Sequence, residues 1–200
     1  MSVVLRVELE TRAVERAEGD LAVAGFFESD RPLRGAAGRA DWRLCGLVSK
    51  ALLEQRCLGA PGEEILVPTL GRMRVPRVLF MGLGDRARFG REALARCSEE
   101  AVQRGLDMGA QRLVLEALGT PAERVPDEAV GLLEAFLNPL RARPSAMTLR
   151  LLVPAAESAR TESAFRAAIL RVAPREASFV SGRQQVVSRP PVSRGAEQAV

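Results

Sequence analysis

Two hundred residues, 47% of them hydrophobic and 27% charged, suffice for one domain with a full apolar core and no need of a disulfide or metal staple. No apolar run approaches the roughly 20 residues that span a bilayer, and the first eight residues lack the basic start and long apolar stretch of a secretory leader, so a cytoplasmic protein is expected. The pI near 9.7 rests on arginine, since Lys50 is the only lysine; with a net charge of +4, 4% aromatics and no tyrosine, the pattern disfavours a nucleic-acid surface, which concentrates basic residues among stacking rings.

In chain order, residues 3–10 alternate apolar and polar, the period of a half-exposed strand, and predict an edge strand. Leu21 to Phe27 is continuously apolar, as in a strand covered on both faces. Residues 39–54 repeat Leu44, Leu47, Val48, Ala51 and Leu52 at three and four, which predicts one helix, and Gly59-Ala60-Pro61-Gly62 breaks the chain after it. Glu64 to Pro68 and Arg77 to Met81 read as neighbouring strands joined around Gly71, so parallel and antiparallel pairs are mixed in one sheet.

A helix over 91–104 follows, with Leu94, Cys97 and Ala101 inward and Gly105 as its stop. Arg112 to Glu116 is the next strand, 127–140 a helix capped by Asp127, 147–153 a last strand and 161–172 a last helix. From Arg77 onward strand and helix alternate, which predicts a three-layer α/β/α domain around a mixed, largely parallel sheet. This assigns 1–174 to the domain and 175–200, polar and Pro-containing, to a disordered, mildly basic tail.

The chemistry-bearing candidates are few. Gly82-Leu83-Gly84 leaves a strand as a phosphate-binding turn would, because glycines let backbone amides converge on an anion. Asp85 follows at once, and the next helix starts several residues late for a dinucleotide site, which favours a structural turn. With no histidine, every Ser-His-Asp or Cys-His arrangement is excluded. Cys45, Cys57 and Cys97 form no metal spacing and read as reduced, mostly buried thiols, Cys97 being the most inert. The acidic pairs Glu63-Glu64 and Glu99-Glu100 read as solvated charge, and Lys50 as a side chain reaching for water. Trp42, Phe26 and Phe27 read as core rather than pocket. No cofactor and no metal is expected.

Taken together, Gly19 to Glu28, then Gly62 to Pro68, then Arg77 to Gly84 and the helix beginning at Arg91 resemble the N-terminal domain of the leucyl aminopeptidase family, the M17 peptidases, in order and spacing along residues 15–155. The resemblance implies a macro-domain-like fold and a domain without metal ligands or catalytic residues, the peptidase chemistry of the family being carried by a separate C-terminal domain. It implies a non-catalytic role in protein contact, assembly or regulation, with self-association or a full-length aminopeptidase as partner. Its macro-like character implies a second role, ADP-ribose or another phosphate-bearing ligand at the strand ends, with Gly82, Gly84, Asp85, Gly25 and Phe26 as candidate ligand residues. There Phe26, Phe27 and Glu28 stand where a macro domain has small and amide side chains. DNA association, known for some bacterial members, is the third role implied.

Overall fold

The computed structural model describes residues 4–181. Seven strands are formed by β1 (Leu5–Glu10), β2 (Leu21–Phe26), β3 (Glu64–Pro68), β4 (Arg77–Gly82), β5 (Arg112–Glu116), β6 (Met147–Leu152) and β7 (Ala177–Val180). They make one sheet in the order β3-β4-β2-β5-β6-β1-β7, antiparallel between β3 and β4 and parallel at every other pairing. The mixed, largely parallel sheet expected from the strand spacing is therefore present.

Five helices cover it: α1 (Gly35–Arg43), α2 (Leu47–Leu53), α3 (Arg91–Asp107), α4 (Ala129–Ala142) and α5 (Ala155–Val172). Strand alternation sorts the side chains between two cores. Ala22, Ala24 and Phe26 of β2 with Val78 and Phe80 of β4 pack on α1 and α2. Leu21 and Val23 with Leu79 and Met81 pack on the layer of α3, α4 and α5. The result is the expected α/β/α sandwich.

Several boundaries differ from the sequence expectations, each for a local reason. β1 is interior, lying between β6 and β7, with Leu5 and Val7 fully buried. Its alternating charges, which suggested an edge, are neutralised in place: Glu8 pairs with Arg150 at 3.0 Å and Glu10 with Arg12 at 2.7 Å. The true edge is β7, which extends the chain as regular structure past the expected domain limit at 174; residues 182–200 of the expected tail lie outside the described residues.

The single helix expected over 39–54 is two. Cys45 and Gly46 have φ of 61° and 71°, and the buried Asp41 carboxylate accepts from Val48 N–H at 2.7 Å and Ser49 N–H at 3.3 Å, so α2 starts afresh on a cap supplied by α1. The break turns Trp42 outward, where it is 75% exposed rather than core, whereas Phe26 and Phe27 are buried as expected. Asp127 caps nothing: it lies in a 3-10 turn that contains Pro126, α4 starts two residues later, and its carboxylate pairs with Arg160 at 3.1 Å. α5 starts at Ala155, behind Pro154, instead of at Thr161.

Candidate functional site at the ends of β2 and β4

β4 and β5 flank β2 on opposite sides, and the chain leaves β2 for α1 on one face of the sheet and β4 for α3 on the other. Such a reversal opens a crevice beyond the carboxyl ends of the strands, where open α/β sheets bind ligands. A cleft of about 450 Å³ lies there, with Glu28, Leu83, Asp85, Arg88, Phe89 and Arg96 among its walls. Two carboxylates face two guanidiniums, and Arg88 stands 3.8 Å from Asp85, so the walls offer no net positive field to an anion.

Whether the glycine turn can hold an anion depends on where its amides point. Gly82 N–H donates to the Glu63 carbonyl at 2.9 Å, Leu83 N–H to Phe26 at 2.9 Å and Gly84 N–H to Gly59 at 2.8 Å. On the β2 side, Glu28 N–H donates to the Gly84 carbonyl at 3.0 Å and Phe27 N–H to the Asp30 carboxylate at 3.0 Å. These five amides are matched within the chain.

The glycines have a different use. A Cβ on Gly82 would stand 2.2 Å from the Ala60 carbonyl oxygen, and one on Gly84 2.8 Å from Pro61 Cγ. They let the 59–62 loop lie directly on the end of β4. The Glu63 carboxylate fixes that loop by accepting from Leu58, Gly59 and Ala60 N–H at 2.8, 2.6 and 3.1 Å; burial opposes its charge, but these three donors hold its carboxyl below the usual range.

Of the candidate ligand residues, Asp85 lines the cleft, and its carboxylate already accepts from Ala87 N–H at 2.9 Å. Gly25, Phe26, Gly82 and Gly84 are all buried: Phe26 is 1% exposed in the core under α1 and α2, and Gly25 lies beneath the Leu83 side chain. The residues that shape the entrance were not found from the sequence. Phe27 and Phe89 meet edge to face with centroids 5.1 Å apart, the Arg86 guanidinium lies 4.0 Å above the Phe27 ring, and Arg86 pairs with buried Asp30 at 2.7 Å. This cluster ties the loop after β2 to the loop after β4.

Glu116, at the end of β5, was also missed. Its carboxylate approaches the first turn of α1 and accepts from Ala36 N–H at 3.3 Å, so an internal acid occupies the end of a helix where anions bind. Burial pushes its carboxyl up from the ordinary value; the Ala36 bond opposes this and the nearby Asp30 charge adds to it. The readable signal was an acid ending an apolar strand, with Gly35-Ala36-Ala37 free to cradle it.

Other reactive groups are quiet. Burial pushes the Cys97 thiol up to about 11, Cys57 is buried and also raised by burial, and Cys45 is exposed. Lys50 reaches solvent and lies 3.8 Å from Glu54. Among the described residues no three His, Cys, Asp or Glu side chains gather as a metal site.

The model of the cytosol aminopeptidase family, N-terminal domain, matches residues 23–140. The chain belongs to that family. A probable cytosol aminopeptidase of Sulfurihydrogenibium sp. (strain YO3AOP1) is 23% identical over 112 residues, which are 56% of this chain and 22% of that protein. One from Alkaliphilus oremlandii (strain OhILAs) is 20% identical over 123 residues, 62% of this chain and 25% of that one. The chain thus spans about a quarter of the length of these relatives.

Among solved structures, a tomato leucine aminopeptidase mutant superposes with a TM-score of 0.61 at 17% identity, covering 82% of this chain and 36% of that one. The Oceanobacillus iheyensis macrodomain with ADP gives 0.65 at 10% identity, covering 82% and 92%. A Trypanosoma brucei macrodomain in complex with ADP-ribose gives 0.58 at 16% identity, covering 78% and 68%. An aminopeptidase N-terminal domain with a macro-like fold is what sequence order and topology both describe, and no helix among the described residues is long and apolar enough to cross a membrane.

Proposed function

We propose that this aminopeptidase N-terminal domain contributes contacts rather than chemistry, acting in assembly or regulation in the cytoplasm, with a full-length aminopeptidase as its first candidate partner. The observation that carries this is the internal use of the glycine turn at the strand-end crevice: the Gly82, Leu83 and Gly84 amides each donate to a carbonyl of this chain, and Glu116 meets the first turn of α1. A domain whose glycine-turn amides are internally matched has its outer surface left for recognition. Light scattering on the chain alone and mixed with the full-length aminopeptidase of the same organism tests this. Coelution at the summed mass is expected; a chain that neither self-associates nor binds the enzyme refutes it.

A phosphate-bearing ligand such as ADP-ribose is the second reading, favoured by Arg88 and Arg96 on the cleft wall and by macrodomain neighbours solved with ADP or ADP-ribose. It requires the ligand to bind mainly through these side chains, since the Gly82, Leu83 and Gly84 amides are taken. A ligand at a hundred times its Kd raises stability by about 2.7 kcal/mol, so a thermal-shift series with ADP-ribose, nucleotides and simple anions decides it, and no shift with any of them ends this reading.

A further inference from the structure

The outer edge beside β4 behaves differently. β3 is the edge beyond β4, and its ladder is bracketed by the Gly82 N–H to Glu63 and Thr69 N–H to Pro76 bonds, so the odd-numbered residues 63, 65, 67 and 69 point their backbone groups at β4. Glu64, Leu66 and Pro68 therefore present theirs to the outside. Natural edges are blunted by lysines, bulges or covering loops. Among the described residues the only guard here is Pro68, at the strand's last residue, and the strand's single charge, Glu64, is already held by Arg104 at 2.8 Å.

The border of this edge carries exposed apolar side chains among charged ones. Trp42, Leu47, Leu53, Leu58, Leu66 and Leu70 are 75%, 47%, 82%, 54%, 45% and 84% exposed. They flank β3 on both faces of the sheet: Leu58 N–H is held by Glu63 at the start of β3, Arg72 beside the Leu70 turn contacts Cys45 between α1 and α2, and a groove of about 580 Å³, lined by Leu47 and Ile65 but also by Lys50, Glu54 and Arg56, separates α2 from β3, while Leu66 lies on the opposite face. At these exposures the six side chains offer on the order of 700 Å² of surface, close to the roughly 800 Å² that each partner brings to a standard interface.

We propose that a second copy of this chain pairs with the first through β3, antiparallel and centred on Leu66, continuing the sheet across a two-fold axis. The register is self-complementary. Leu66 of each chain exchanges N–H and C=O with its symmetry mate, and Glu64 N–H meets the Pro68 carbonyl, giving four hydrogen bonds while the missing Pro68 N–H leaves only the Glu64 carbonyl without a strand donor. Ile65 falls opposite Val67 on the helix α2 face and Leu66 opposite Leu66 on the other, and no charge stands opposite a like charge. The proposal rests on the contact-making reading above and names the partner.

Sedimentation velocity of the full chain across a micromolar to sub-millimolar series tests it, read together with hydrogen exchange of the 64–68 segment. A species of twice 21.6 kDa is expected, with the Glu64 and Leu66 amides slowing as it forms. Leu66→Lys, which adds a buried like-charge pair on the axis, is expected to weaken self-association at least a hundredfold with the circular dichroism unchanged, and Leu170→Lys, on exposed α5, to leave it intact. If Leu66→Lys fails to fold, Leu70→Glu takes its place, with the same expected loss. A wild-type chain that stays monomeric while binding the aminopeptidase overturns the dimer and leaves the contact reading standing. A dimer in which the Leu66 amide exchanges as fast as in the monomer overturns this register.

Discussion

Gly82→Ala is the sharpest probe of the closed crevice. The added Cβ lands 2.2 Å from the Ala60 carbonyl oxygen and 2.7 Å from the Gly59 carbonyl carbon, backbone atoms that cannot rotate aside. Relief requires the 59–62 loop to lift from β4, which strains the Gly82 to Glu63 and Gly84 to Gly59 bonds at 2.9 and 2.8 Å. Overpacking costs about 1–3 kcal/mol and each strained bond about 1 kcal/mol, against about 0.5–1 kcal/mol gained from a stiffer unfolded chain. The net expectation is a loss of about 2–4 kcal/mol, or roughly 5–15 °C in Tm for a domain of this size. Urea and thermal unfolding followed by circular dichroism measure it, with Gly90→Ala as the matched control, since nothing lies within 4 Å of a Cβ there. An unchanged midpoint for Gly82→Ala refutes the packing argument. A variant that keeps its stability but loses a phosphate ligand would show that the turn serves binding instead.

Three further substitutions separate the roles assigned to single residues. Glu116→Gln keeps an oxygen for Ala36 N–H and removes a charge that burial disfavours; because the folded carboxyl lies above its unfolded value of 4.5, wild type loses stability as pH rises past that value, so the variant should be the more stable at pH 7 and the gap should close below about pH 4.5. Asp20 is the opposite case: burial opposes its charge, but Arg112 at 2.7 Å and the Gln111 and Arg112 N–H groups hold its carboxyl below 3.8, so Asp20→Asn should cost about 1–2 kcal/mol at neutral pH, a difference that disappears as wild type is acidified through its lowered value. Trp42→Ala should change monomer stability by less than about 0.5 kcal/mol in chemical denaturation at dilute protein, because a side chain 75% exposed has little burial to lose.

The strands were readable because each has a pattern with one solution. β2, with six consecutive buried residues, has no polar position that would let it sit anywhere but between neighbours on both sides. The elements misread are those whose placement depends on a partner far along the chain. β1 looks like an edge until β7, more than 160 residues later, pairs Leu5 with Ala177. The 39–54 segment carries an unbroken helical stripe, and only the Asp41 carboxylate folding back onto Val48 and Ser49 shows why two helices are better than one. The same holds at the crevice: Gly82 and Gly84 announce a close backbone approach, but whether a ligand or the chain itself makes that approach depends on the 59–62 loop, which the local pattern does not place.

The carboxyl end of β4 and the outer side of β3 then follow different rules, and that difference decides where recognition is to be sought. At the carboxyl ends of β4 and β5 a loop, two aromatic rings and an internal carboxylate crowd the place a ligand would take, and the amides of the glycine turn are matched at 2.8 to 2.9 Å. Along the outer side of β3 the donors of Glu64 and Leu66 meet no strand among the described residues, and the surrounding leucines are exposed. Unmatched backbone groups beside exposed apolar side chains lose most by remaining solvated and gain most from a partner strand. In a chain with no histidine, and with no gathered metal ligands among the described residues, the edge rather than the glycine turn is where binding free energy is available.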